Sequence, residues 1–260
     1  MMLKSFCVPY PGALASTAMT RGDMVDADRA LPLRERKKVR TKRALADAAL
    51  RLFLDKGYDS TTLDELVDEV EVSRRTFFRM YASKDDVALA AELELWEAFA
   101  AEVAAREIHG PVLDALRAAL ADAVTGLGPD WDERFLATRG LLARTPALWD
   151  RSIVLSMGAQ ERVVEQLAEK LGIDARADVR LRLLGELSLA AWRCGAKNWI
   201  RAGRQTRSPR PVNTHGSRLV PGRGPQDARP AAQLGGSAEL LRHVEEAFAA
   251  IPAAVNLTAL

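Results

Sequence analysis

Apolar residues recur along this chain at helical spacing. Over 34–56, Leu45, Ala48, Ala49, Leu52 and Phe53 fall at i, i+3, i+4, i+7 and i+8 and share one helical face. Gly57 follows, where a left-handed residue commonly ends a helix. Thr62 with Glu65 three residues on reads as a capping box opening a second helix, with Leu63, Leu66, Val67 and Val70 as its apolar face. Glu71-Val72 forms a turn, Ser73 caps a third helix, and Val72 and Phe77 are spaced as its hydrophobic staple.

The pattern continues through the rest of the chain. Ser83 caps a fourth helix, with Asp85 and Asp86 in its first turn, expected to run to about residue 106. Pro111 suits the first position of the next, which stops at the break 126–129. Asp130 with Glu133 signals a helix beginning at Trp131, and Thr145-Pro146 reads as a cap and first-turn proline for a long helix ending at Gly172. Two more helices are expected over 175–202 and 238–251, the last capped by Ser237 and stopped by Pro252. Between them, 204–236 carries Pro209, Pro211, Pro221, Pro225 and Pro230 with many Gly and Arg and no periodic apolar face, so it reads as a disordered loop. An extra nucleic-acid arm is the alternative there.

The expected fold is therefore all-α. A leader over 1–32, or an over-extended start with Met19 or Met24 as initiator, precedes a three-helix helix-turn-helix domain over 33–82. A larger helical domain follows over 83–251, with a tail over 252–260. In the leader, Lys4 and Ala13-Leu14-Ala15 resemble parts of a signal peptide, but Pro9, Pro11 and Gly12 break its apolar core.

Charge changes the picture at one place. The net charge is only +2, yet Arg34, Arg36, Lys37, Lys38, Arg40, Lys42 and Arg43 crowd the start of the first helix, with Glu35 as the one acid among them. Arg74, Arg75 and Thr76 open the third helix, where acids are usually favoured by the partial positive charge of the backbone. Two arginines there suit an external anion: phosphate oxygens and guanine edges both accept bidentate arginine. Helix-turn-helix proteins set the start of this helix against base edges, while a basic run such as that around Lys37 grips phosphate without reading sequence. A solvated charged face on an ordinary bundle is the bland alternative.

The stretch 33–87, LRERKKVRTKRALADAALRLFLDKGYDSTTLDELVDEVEVSRRTFFRMYASKDDV, resembles the N-terminal domain of the TetR family of bacterial regulators. The resemblance implies an all-α homodimer whose paired domains bind double-stranded DNA at a palindromic operator. It implies that Arg74, Arg75 and Thr76, opened by the Ser73 cap, face bases. Phe78, Arg79 and Lys84 would lie against the backbone or groove wall, and Thr41 and Thr61 would touch phosphate. It also implies a small-molecule inducer held in the larger domain, for which Trp96, Phe99, Phe135, Leu142, Trp149, Met157 and Trp192 are candidates. The alternative for these residues is plain core packing. Arg139, Arg144 and Arg193 lie near them in sequence, which suits an amphipathic ligand. The RRTFF pattern at 74–78 is similar to a subgroup described as binding acyl-CoA-like ligands. The last two long helices would form the dimer interface, with Leu183, Leu184, Leu187, Ala190, Ala191, Leu241, Val244 and Phe248 as its interface or core residues. Two positions depart from the family: Glu71 stands where Gly is frequent, and Met80 where Tyr or His is usual.

Other functions find little support. Cys7 and Cys194 make neither a disulfide framework nor a zinc site, which suits a reduced, cytoplasmic setting. No apolar run reaches membrane-spanning length. The three histidines have unrelated spacings, and no metal, cofactor, nucleophile or phosphate-loop motif is present, so no enzyme activity is expected. A non-specific nucleoid-type DNA-binding protein, or a helical ligand-binding protein with a degenerate DNA domain, remain as alternatives.

Overall fold

The computed structural model describes residues 32–128, 130–205 and 236–258, and all its regular elements are α-helices. The N-terminal unit comprises α1 (Leu33–Asp55), α2 (Leu63–Glu69) and α3 (Arg74–Met80). The body follows as α4 (Lys84–Ala88), α5 (Ala90–Ala105), α6 (Val112–Gly126), α7 (Trp131–Leu142), α8 (Pro146–Leu171), α9 (Val179–Gln205) and α10 (Gly236–Val255). The leader, most of 204–236 and the last two residues lie outside the described residues.

Two apolar clusters hold these helices. The first joins Leu45, Ala49 and Phe53 of α1 to Leu66, Val67 and Phe77, then continues through Val87 and Leu89 to Leu141, Leu142 and Leu148. The helix-turn-helix unit therefore shares its core with the body. The second cluster fills the body around Leu95, Phe99, Leu116, Leu120, Trp131, Phe135, Trp192 and Trp199. Within it α5 packs against α6, α7 and α8, and α9 makes its most extensive contact with α10. A Cβ on Gly195 would lie 2.6 Å from the Val244 Cα, so α9 and α10 approach backbone to side at that glycine.

Several boundaries differ from the sequence expectation. The fourth helix breaks at Leu89, whose ψ of 19° leaves the helical range. Every residue from Asp86 to Glu92 is buried there, although only one face of a straight surface helix would be. Asp130 makes no side-chain cap for α7; its carboxylate instead pairs with Arg43. Thr145 makes none either, while Pro146 does open α8. The ninth helix starts at Val179, with Asp178 accepting the Arg180 N–H at 2.9 Å. The last helix continues through Pro252 to Val255. A proline in a final turn removes a single backbone bond, and the Asn256 amide caps the Pro252 carbonyl at 2.8 Å. Gly57 and Gly172 end α1 and α8 with φ of 92° and 64°, as their positions suggest.

Part-buried ion pairs also tie the helices of the body to one another. Arg151 donates to Asp86 at 2.7 and 2.8 Å, Arg134 to Glu94 at 2.6 and 2.9 Å, and Arg139 to Glu92 at 3.0 Å. Ser152 donates a further bond to Glu92 at 2.5 Å.

Candidate nucleic-acid interface

The recognition unit is built from caps. Thr62 and Glu65 form a complete capping box at the start of α2. The end of α2 is a Schellman motif: Val72 N–H donates to the Val67 carbonyl at 2.9 Å and Glu71 N–H to Asp68 at 3.1 Å. The left-handed position of that motif belongs to Glu71, with φ 53°. Ser73 then accepts the Thr76 N–H at 3.1 Å and caps α3. Phe77 is fully buried and half-buried Val72 packs on the same cluster, so the staple is made.

This frame leaves one side of α3 in solvent. Arg74, Arg75 and Arg79 are exposed, Thr76 is half-buried, and Phe78 is 55% exposed. Arg75 and Arg79 have no side-chain partner among the described residues. Arg74 does: its Nε and Nη2 donate to the two oxygens of Asp64 at 2.6 and 2.5 Å. That guanidinium holds the Asp64 carboxyl below its ordinary value. Half-buried Met80 packs on the core and Tyr81 is buried, its hydroxyl donating to the Lys42 carbonyl at 3.0 Å. The end of α3 is thereby tied to α1.

Two expected phosphate-side residues turn inward. Thr61 is 1% exposed, and its hydroxyl donates to the carbonyls of Gly57 at 2.9 Å and Leu52 at 3.3 Å. It locks the end of α1, so its side chain is not presented to a duplex. Lys84 donates to the Tyr58 carbonyl at 2.5 Å and lies 4.2 Å from the Tyr58 ring centroid. Burial lowers its pKa from the ordinary lysine value. Tyr58 in turn donates to Asp85, and burial followed by that bond raises its phenol pKa. Lys84 thus clamps α4 to the α1–α2 corner.

The basic run divides. Lys37 is exposed and Thr41 half-buried. Lys42 pairs with Glu97 at 3.4 Å and Arg43 with Asp47 at 3.0 Å and with Asp130, so the later part of the run faces the body. The residue that sequence reasoning missed is Asp64. As an acid in a first helical turn it has an ordinary explanation, and its pairing across the turn has no periodic signal.

The body does not gather the expected ligand residues. Trp96, Phe99, Phe135 and Trp192 are buried in the body cluster and Leu142 in the N-terminal one. Trp149 and Met157 are 47% and 49% exposed on α8. The aromatic rings fill their space by packing on one another, Trp131 on Phe135 at 5.0 Å and Trp96 on Trp192 at 6.0 Å between centroids. The Trp96 Nε1 is buried without a hydrogen-bond partner.

The family comparisons agree with this architecture. Residues 45–91 match the model described as bacterial regulatory proteins, tetR family. Residues 110–220 match that of the MftR C-terminal domain. The HTH-type transcriptional regulator TcmR of Streptomyces glaucescens is 34% identical over 173 residues, covering 64% of this chain and 76% of that protein.

Proposed function

The chain belongs to the TetR family of bacterial regulatory proteins, a family of helix-turn-helix transcriptional regulators, and from that premise we propose a homodimeric repressor. Two copies of α3 enter successive major grooves of a palindromic operator, and a small apolar or amphipathic ligand releases them. The observation that carries the DNA half of this reading is the exposed start of α3. Arg75 and Arg79 stand in solvent, with half-buried Thr76 between them, on a helix fixed by the Ser73 cap and the Phe77 anchor. Exposed Lys37 on α1 supplies a phosphate contact outside the recognition helix.

The ligand half draws on the aromatic centre of the body. An unpaired buried N–H such as Trp96 Nε1 costs about 1–3 kcal/mol. A ligand presenting an acceptor atom there would relieve that cost, provided the ring cluster opens. Arg139 and the glutamate it binds, Glu92, connect α7 to the start of α5, and so a shift at this centre reaches α4. The ligand moves the equilibrium only by its differential affinity for the two arrangements.

The test is fluorescence anisotropy of the purified protein on DNA flanking its own gene, against shuffled DNA, over a salt series. Preference for the native fragment by about 10³-fold or more is expected. Equal, steeply salt-dependent binding to both, together with no sequence enriched from genomic DNA, would make this a non-specific binder. Ligand screening then asks which compounds release the preferred fragment.

A further inference from the structure

Arg74 and Arg75 are neighbours in one helical turn, yet their surroundings differ. Arg75 has no side-chain partner among the described residues. Arg74 is gripped side-on by Asp64, through Nε at 2.6 Å and Nη2 at 2.5 Å. Both ends of this pair stand on fixed backbone. Asp64 lies in the first turn of α2, anchored by the Thr62–Glu65 box, and Arg74 opens α3 behind the Ser73 cap.

A guanidinium carries five N–H donors in one plane. The side-on grip uses the Nε donor and one on Nη2, leaving the other Nη2 donor and both on Nη1. One from each terminal nitrogen project in parallel from the far edge of the plane. That parallel pair is the geometry that O6 and N7 of guanine accept. The pair adds little to stability, because both side chains are largely in solvent. Its consequence is orientation: a long side chain that would otherwise sample many rotamers is held in one plane before DNA arrives.

We propose that Asp64 is a positioning residue for base recognition, fixing the Arg74 guanidinium so that its free edge reads a guanine in the operator. The proposal rests on the reading of this chain as a sequence-specific regulator. Asp64 does not itself touch the base. Its negative charge beside a phosphate-lined groove works against general DNA affinity, so its contribution is to discrimination. Arg75, which lacks such a support, is the adaptable member of the pair.

The experiment uses the full chain and a randomised duplex library, followed by measured affinities for the selected site with each base pair replaced. For the wild type, one guanine in each half-site should depend on Arg74, its preference disappearing in Arg74→Ala. In Asp64→Ala that same preference should fall by about tenfold or more. Other positions should be unchanged, and affinity for random DNA equal or higher. Asp64→Asn, which retains an acceptor, should fall between the two. Both positions are exposed, and circular dichroism confirms that the variants are folded. Unchanged discrimination in Asp64→Ala would mean an ordinary surface pair. Sharper discrimination would mean that Asp64 hides Arg74, and a uniform loss at every position would mean a role in folding or docking. Each of these overturns the proposal. A wild type with no preferred sequence overturns the regulator reading as well, whereas a preference that Arg74→Ala leaves intact overturns this inference alone.

Discussion

Glu71 occupies the left-handed residue of the α2–α3 turn, with φ 53°. A side chain in that region costs about 1 kcal/mol, because its Cβ crowds the following carbonyl. The hydrogen bonds of the Schellman motif hold it there, so the turn is strained rather than reshaped. Glu71→Gly should therefore stabilise the protein by about 1 kcal/mol in urea denaturation, with recognition unaltered because the turn geometry is already the one glycine prefers. A destabilised Glu71→Gly would show that the Glu71 side chain contributes more than its backbone strain costs. On the recognition face, Arg75→Ala should reduce preference for the selected site, while Lys37→Ala should weaken all DNA alike and flatten the salt slope by about one unit. Equal losses on cognate and random DNA for Arg75→Ala would remove its base-reading role. At this scale the sequence was readable where a residue's role is set by near neighbours: the Thr62, Ser73 and Phe77 anchors are all formed. It was silent where the partner lies far along the chain. Lys84 is drawn inward by Tyr58, a residue 26 positions away, and the Tyr81 hydroxyl reaches the Lys42 carbonyl, 39 positions away.

Elements depend on their ends and crossings. At the start of α2, the Thr62 backbone N–H, then Lys56 and the Thr62 hydroxyl, hold the Glu65 carboxyl down at about 2, against an ordinary value of 4.5. A depressed carboxyl contributes stability that is full above its unfolded value and fades as pH falls toward the folded one. The window here is pH 4.5 down to 2. Glu65→Gln keeps an acceptor for the box but cannot titrate, so its urea midpoint should fall less than that of the wild type across this window. Parallel curves would rule Glu65 out of the acid response. Glycines give a test of opposite signs in two helices. At the α9–α10 crossing, Gly195→Ala drives a methyl to within 2.7 Å of the Val244 nitrogen and should cost about 1–3 kcal/mol. Gly158, inside α8, has nothing within 4 Å of its added Cβ, so Gly158→Ala should gain up to about 1 kcal/mol from helix propensity. Helix existence was legible from the 3.6-residue period. The break at Leu89 was not, since neither proline nor glycine marks it and tertiary burial on all sides imposes it.

For the whole molecule the same period is ambiguous, because burial within one chain and burial against a second copy leave the same apolar spacing. Ala191, Val244 and Phe248, expected at a subunit interface, are buried inside the chain, while Leu184, Leu187 and Leu241 are half-buried. The close approach at Gly195 turns that face of α9 onto α10. What remains for a partner is the outer face. Val179, Leu183, Leu187 and Ala190 lie four, four and three residues apart along one side of α9, and Leu183 is 51% exposed. Such a stripe is costly to leave in water and suits a symmetric helix-to-helix contact. A dimer through this face would hold two α3 helices together, and joining two half-site contacts multiplies affinity through effective concentration. Leu183→Glu places like charges opposite each other at the contact without touching the core. The expected outcome is that the wild type sediments as a dimer and Leu183→Glu as a monomer. Its affinity for a full palindrome should drop by about 10²-fold or more toward that for a single half-site, while Leu183→Ala remains largely dimeric. A dimeric Leu183→Glu would move the interface off this face of α9, and the exposed Trp149, Ile153 and Met157 of α8 would be the next surface to challenge.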